Sequence, residues 1–222
     1  MERVLEAELM DDPEQALAYA RADFHEENQG FANRLLEFYP ELLELKDAHV
    51  LDLGCGPADI PIRLARAWPT CRITGVDGSS PMIALGLEAV RAAGLSDRIT
   101  LRCERMQDTV LAEKADVVIS NSLLHHLPNP LQFWYAIRQL AKPGAVVLVM
   151  DLLRPDSPEA AQALVDRYAS QEPARLRRDF YQSLLAAFTD DDVAAQLTEM
   201  NMSRLLIDVP DDRHWLVGGR LV

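Results

Sequence analysis

His49-Val50-Leu51-Asp52-Leu53-Gly54-Cys55-Gly56-Pro57-Ala58-Asp59 is the stretch that decides the fold. A short apolar run stops at Gly-x-Gly and a helical pattern follows at once. This reads as a buried strand, a tight turn and a helix N-terminus. Glycine admits φ > 0 and lets a ligand approach the backbone. The open N–H groups of the first helical turn then face whatever lies over the loop. Asp59 stands where the third glycine of the dinucleotide fingerprint G-x-G-x-x-G would be. Asp52, on the strand before the turn, would attract a cationic ligand and repel a pyrophosphate.

Outward from this stretch the chain alternates strand and helix, the pattern of a parallel sheet with helices on both faces. The expected strands are Val50 to Leu53, Arg72 to Val76, Ile99 to Cys103, Asp116 to Ser120 and Ala145 to Met150. The last is a near-continuous apolar run, as a central strand requires. Ser80-Pro81 and Asn129-Pro130 read as helix starts, and Lys142-Pro143-Gly144 as a turn. Upstream, Asp12-Pro13-Glu14 starts a helix whose face carries Ala16, Leu17, Ala20 and Phe24. Asn28-Gln29-Gly30 is expected to break it before a second helix with Phe31, Leu35 and Phe38. Downstream, Ser157-Pro158-Glu159 and Pro173 start two helices that interrupt the alternation, and Thr189 caps a third. Strands at Arg204 to Val209 and His214 to Leu221 are joined by a short Pro210-Asp211-Asp212 link, suited to an antiparallel pair. The expected organisation is one domain: an N-terminal helical lid (1–47), a binding core (48–152), a helical insertion (153–188) and a C-terminal helix and hairpin (189–222).

The net charge of −13 repels phosphate backbones and argues against a nucleic-acid partner. No run approaches the ~20 apolar residues of a membrane span. The start Met1-Glu2-Arg3-Val4-Leu5-Glu6 lacks the basic and apolar regions of a signal peptide, so the expected location is cytoplasmic. The three cysteines, Cys55, Cys71 and Cys103, form no C-x-x-C and predict neither a disulfide framework nor a structural zinc site.

Asp52-Leu53-Gly54-Cys55-Gly56 resembles motif I of the class I S-adenosylmethionine (SAM)-dependent methyltransferases, an acid followed by L-x-G-x-G. The resemblance extends over about residues 48 to 152. It implies a doubly wound α/β fold, a mostly parallel sheet of about seven strands with a C-terminal antiparallel hairpin. It also implies SAM as cofactor and S-adenosylhomocysteine (SAH) as product. Asp52 would help orient the methionyl ammonium over the Gly54, Cys55 and Gly56 backbone. Asp77, twenty-one positions after Gly56, would hold the ribose hydroxyls. Gly78, Ser79 and Met82 follow in the second motif, with Met82 against the adenine. Glu104, Arg105 and Met106 stand where an acid and a small residue usually bind the adenine amino group. The acid is longer, and the next residue, Arg105, larger, than that pattern.

Asn121-Ser122-Leu123-Leu124-His125-His126-Leu127 resembles the N-x-x-H-H-L form of the quinone-biosynthesis C-methyltransferases and their relatives. Asn121 would lie near the methionine part. His125 and His126 are candidate general bases, because imidazole titrates near neutral pH; the alternative is a loop hydrogen-bonding role. Adjacent histidines with no i, i+4 spacing and no visible third ligand predict no metal site. Candidate acceptor contacts are Tyr19 and Phe24 of the lid, Arg154 beyond strand five, and Tyr168 and Tyr181 of the insertion. Each has an alternative in ordinary packing or ion pairing. The expected activity is methyl transfer to a small molecule by in-line displacement. A SAM-binding protein without turnover, a transferase using decarboxylated SAM and an NAD(P)-dependent oxidoreductase share much of the pattern. For the insertion, a homodimer interface is the alternative to a cap.

Overall fold

The structure, a computed structural model, describes residues 1–6 and 9–222. Ahead of the sheet come α1 (Pro13–Arg21) and α2 (His25–Phe38), then a 3-10 turn at Pro40–Glu44. The alternating part follows: β1 (His49–Leu53), α3 (Asp59–Ala67), β2 (Arg72–Asp77), α4 (Ser80–Ala92), β3 (Ile99–Cys103), β4 (Ala115–Asn121), α5 (Leu131–Leu140) and β5 (Ala141–Leu152). Then α6 (Pro158–Tyr168) and α7 (Ala174–Ala186) interrupt it. The chain continues with α8 (Asp190–Glu199), β6 (Leu206–Asp208) and β7 (His214–Arg220).

The seven strands form one sheet in the order β3-β2-β1-β4-β5-β7-β6. The first five run parallel. β7 joins β5 antiparallel, from Val146↔Arg220 to Leu152↔His214, and β6 adds outside it. Strand order reverses between β1 and β4, so the crevice beyond their carboxyl ends is the expected ligand position in such a sheet. All five residues of β1 are buried because helices cover both faces. Leu51, Leu53 and Val118 point into one core with Phe133, Trp134 and Trp215. Val50, Val117 and Ile119 point into the other with Phe31, Leu35 and Trp68.

Local signals fix most helix starts. Ser79 caps α4, one residue earlier than expected, by accepting from Met82 N. Ser157 caps α6, and Thr189 and Asp192 form a reciprocal capping box on α8. Two expectations are corrected. The helix α2 runs straight through Asn28-Gln29-Gly30, and the break falls at Ala22–Phe24 instead. Glycine costs a helix only about 1 kcal/mol, and the burial of Phe31, Ala32 and Leu35 on one face of α2 outweighs that. Lys142-Pro143-Gly144 lies inside β5: Ala115 pairs with Ala141 and Val117 with Val146, so the segment loops out of the ladder as a bulge.

The helices α6 and α7 have a small core of their own, in which Ala161, Leu164 and Val165 meet Leu184 and Ala187, with Phe180 and Tyr181 against it. The segment ahead of α1 is a strap over the ligand edge of the sheet. Val4 N donates to Leu185 O at 2.9 Å. Arg3 donates to the carbonyls of Ala186, His125 and Leu127 and lies over the Phe188 ring. Among the described residues no helix is long and apolar enough to cross a membrane.

Candidate active site

The glycine turn closes on β2 through Gly54 N and Cys55 N, which both donate to Val76 O. Gly54 has φ 74° and Gly56 φ 50°, the left-handed region that favours glycine. A Cβ on Gly54 would stand 2.9 Å from the Leu123 side chain, so the turn is pressed against the segment after β4. Asp77, at the end of β2, is held at both oxygens: Gly56 N donates to Oδ2 at 2.9 Å and Ser79 N to Oδ1 at 2.8 Å. Burial raises its pKa against the pull of these two bonds. The carboxylate is thus fixed in orientation at the wall of a cavity of about 280 Å³.

That cavity gathers Gly54, Gly56, Asp77, Gly78, Ser79, Met82, Glu104, Arg105, Met106 and Asn121 from the sequence-derived cofactor set. Met82 and Met106 supply buried apolar walls. Glu104 is tied to Arg102 at 2.9 Å. Asn121 Oδ1 is buried with no hydrogen-bond partner among the described residues, at the end of β4 where a ligand would supply one. Two members of the set stand behind the wall. Asp52 is buried on β1, and burial together with the nearby Asp77 pushes its pKa up to about 8. Cys55 is turned into the core, its Sγ 2.8 Å from where a Cβ on Gly75 would sit, and burial pushes its thiol well up. Asp59, at the third-glycine position, is bonded by Asn28 and Arg63 at 2.8 Å each.

A short 3-10 turn, Leu124–His126, carries the histidine pair. His125 is buried, and its Nδ1 lies 2.5 Å from Asp151 Oδ1. Its main-chain N–H donates to Asp151 Oδ2 at 3.2 Å. Burial opposes a charged ring, but the Asp151 carboxylate more than offsets it and raises the His125 pKa. Burial likewise opposes the Asp151 charge, and His125 more than offsets that, so the carboxyl is held low. On the other side stands Glu6 of the strap, with Oε1 at 3.3 Å from His125 Nε2 and 3.1 Å from His126 Nδ1. Ser79 Oγ donates to Met10 O at 2.7 Å, and Leu9 packs where a Cβ on Gly78 would be. The strap therefore covers both the Asp77–Ser79 end and the histidine end of the cavity.

On the acceptor side, Tyr19 and Phe24 meet with ring centres 4.9 Å apart, and both line the cavity. Burial, with Asp77 next in effect, pushes the Tyr19 phenol up to about 12. Tyr168 lines it too; its hydroxyl donates to Asp212 at 2.8 Å, and the Arg213 guanidinium lies 3.6 Å from its ring centre. Arg154 and Tyr181 are not among the lining residues. Arg154 pairs with Asp192 at 2.8 Å, and Tyr181 packs with the core of α6 and α7. Sequence reasoning missed Glu6, Asp151 and Arg213. Asp151 was legible as the acid that ends the central strand at the ligand edge. Glu6 and Arg213 carry no local signal, since each reaches the site through a contact distant in sequence.

The reversed strand order, the glycine turn and the pinned acid on β2 together define a Rossmann-like α/β core with its ligand crevice at the switch point. Residues 50–144, a little under half of the chain, match the family described as methyltransferase domain. A demethylmenaquinone methyltransferase of Lactiplantibacillus plantarum is 32% identical over 114 residues, which is 50% of this chain and 48% of that protein. A trans-aconitate 2-methyltransferase of Streptomyces avermitilis is 33% identical over 95 residues, 43% of this chain and 35% of that protein. The chain thus spans half or less of the length of these curated relatives. In fold, it is similar to the plantazolicin methyltransferase BpumL, crystallised with a triazolic desmethylPZN analog and SAH. That match has TM-score 0.71 and 16% identity, covering 94% of this chain and 92% of that one.

Proposed function

We propose that this chain is a SAM-dependent methyltransferase acting on a small molecule held under the strap and the α6–α7 insertion. The observation that carries this reading is the Asp77 carboxylate. It is fixed by Gly56 N and Ser79 N in the cavity that also holds the orphaned Asn121 Oδ1. Asp77 would accept from the two ribose hydroxyls, Met82 and Met106 would sandwich the adenine, and Asn121 with the Gly54–Gly56 backbone would hold the methionyl end. Asp52 would act on the ammonium through the wall as a buried charge.

The sulfonium arrives already activated. An acceptor lone pair attacks the methyl carbon, the C–S bond breaks, its electron pair returns to sulfur, and SAH results. The chain's task is alignment and exclusion of water. Holding two reactants in line contributes about 7–11 kcal/mol. Tyr19, Phe24 and Tyr168 supply acceptor walls. Gln15 on α1 donates to Asp179 on α7 at 3.0 Å, and Asp12 pairs with Arg175, so lid and insertion meet across the cavity. This contact favours a cap over a dimer interface for the insertion. Nicotinamide binding is not favoured, because Asp59 fills the third-glycine position with a carboxylate already bound to α2 and α3.

Calorimetry with SAM and SAH is the test. Micromolar affinity (about −8 kcal/mol) that falls at least tenfold in Asp77→Ala is expected. Unchanged affinity in that variant would remove Asp77 from the ribose role. Transfer of a labelled methyl group to small acceptors distinguishes an enzyme from a binding protein.

A further inference from the structure

Glu6, His125 and His126 each present one ligand atom, and the three atoms lie within 4.8 Å of one another. Glu6 Oε1 is 3.3 Å from His125 Nε2 and 3.1 Å from His126 Nδ1. Donors that share a zinc-type ion at about 2.0–2.2 Å stand roughly 3.3 Å apart at tetrahedral angles. Asp151 accepts from His125 Nδ1 at 2.5 Å. That places the Nδ1 hydrogen and points Nε2 at Glu6; in the neutral ring Nε2 carries the lone pair, the arrangement of a carboxylate behind a metal-bound histidine. A lone pair set against a carboxylate is repelled, so either a proton or a cation lies between Nε2 and Glu6. Glu6 Oε1 is moreover buried with no hydrogen-bond partner among the described residues.

We propose that Glu6, His125 and His126 form a two-histidine, one-carboxylate site for a divalent first-row metal ion, zinc by donor chemistry, with Asp151 as the supporting carboxylate. Two imidazole nitrogens select such an ion over magnesium or calcium, which take oxygen donors. Three protein ligands leave a coordination position open. Both histidines line the cavity that holds Asp77 and Asn121, so an acceptor oxygen or carboxylate is the group that would complete the site. Bound there, an acceptor hydroxyl would give up its proton more readily. This use of the ion rests on the methyltransferase reading; its binding does not. The ion would also tie the strap to the core, since Glu6 lies on one and the histidines on the other.

The test is a titration of chelator-treated protein with Co²⁺, without SAM, followed by visible absorption. One equivalent should bring up the bands of a four- or five-coordinate ion, and Zn²⁺ should abolish them. Glu6→Gln and His126→Asn should each weaken the uptake about 100-fold or more, and Asp151→Asn about 10–100-fold. Circular dichroism checks that each variant is folded, and Glu6→Gln at the strap edge is the one least exposed to misfolding. Absence of the bands at millimolar Co²⁺, or bands unchanged in both Glu6→Gln and His126→Asn, would overturn the site and leave a protonated His125 between Asp151 and Glu6. SAM calorimetry on the wild type is a separate arm, so its failure would strike the methyltransferase reading alone.

Discussion

Asp52 and Asp77 lie at the ends of neighbouring strands, and burial raises both pKa values. The consequences for pH follow from sign. Unfolded, an aspartate loses its proton near pH 4; folded, Asp52 keeps it to about 8. Between those values the native state binds more protons, so the ligand-free protein should lose stability as pH rises through that window and level off above it. Thermal unfolding across the window should show this fall, and Asp52→Asn should flatten it. A cationic ligand reverses the shift. SAM binding below about pH 8 should release protons, read as a dependence of calorimetric heat on buffer ionisation. Gly54 gives a second expectation. At φ 74°, with Leu123 2.9 Å from an added Cβ, Gly54→Ala should cost about 2 kcal/mol or more. Left-handed backbone alone costs a non-glycine residue about 1–2 kcal/mol. A lowered urea midpoint would measure it.

At the scale of elements, the strap holds by few bonds. Arg3 supplies three of them, to the carbonyls of Ala186, His125 and Leu127. Arg3→Ala should cost about 1–3 kcal/mol, the range for bonds to charged donors. It should speed amide exchange and proteolysis in residues 1–12 ahead of the rest of the chain. Equal protection in wild type and variant would argue that the strap is held by other contacts. Helices with a polar cap and proline at the start, such as α1, α4 and α6, were legible in the sequence because the signal is local. The strap was not, because it has no period and its partners lie far along the chain. Gly30 misled for the same reason: the glycine is local, while the burial of Phe31 and Leu35 that overrides it is not. In the site, Asp77 was readable from its distance to Gly56. The pairing of His125 with Asp151, 26 residues away, needed the register of β4 against β5.

Across the whole molecule, lid, core and insertion all contribute walls to the cavity, so a ligand there should stabilise all three together. A ligand at 100 times its dissociation constant adds about 2.7 kcal/mol. SAH at that level should raise the melting temperature in a single transition and slow exchange in α1, α7 and the Gly54 turn alike. Protection confined to the Gly54 turn would show that the lid and the insertion are not coupled to cofactor binding.

The placing of β7 also shapes how this chain must be made. The strand β5 is the apolar middle of the sheet, yet its second neighbour, residues 214–220, is translated only after α6, α7, α8 and β6. At ribosomal rates of about 5–20 residues per second, that edge stays open for seconds. During that interval the run from Ala145 to Leu152 is a bare hydrophobic template for any other strand. A message broken or a ribosome stalled between β5 and β7 would release a chain with nearly all of the proposed cofactor-binding residues in place and an unpaired edge. Such fragments should be found with chaperones or in inclusion bodies, never as a soluble half-domain.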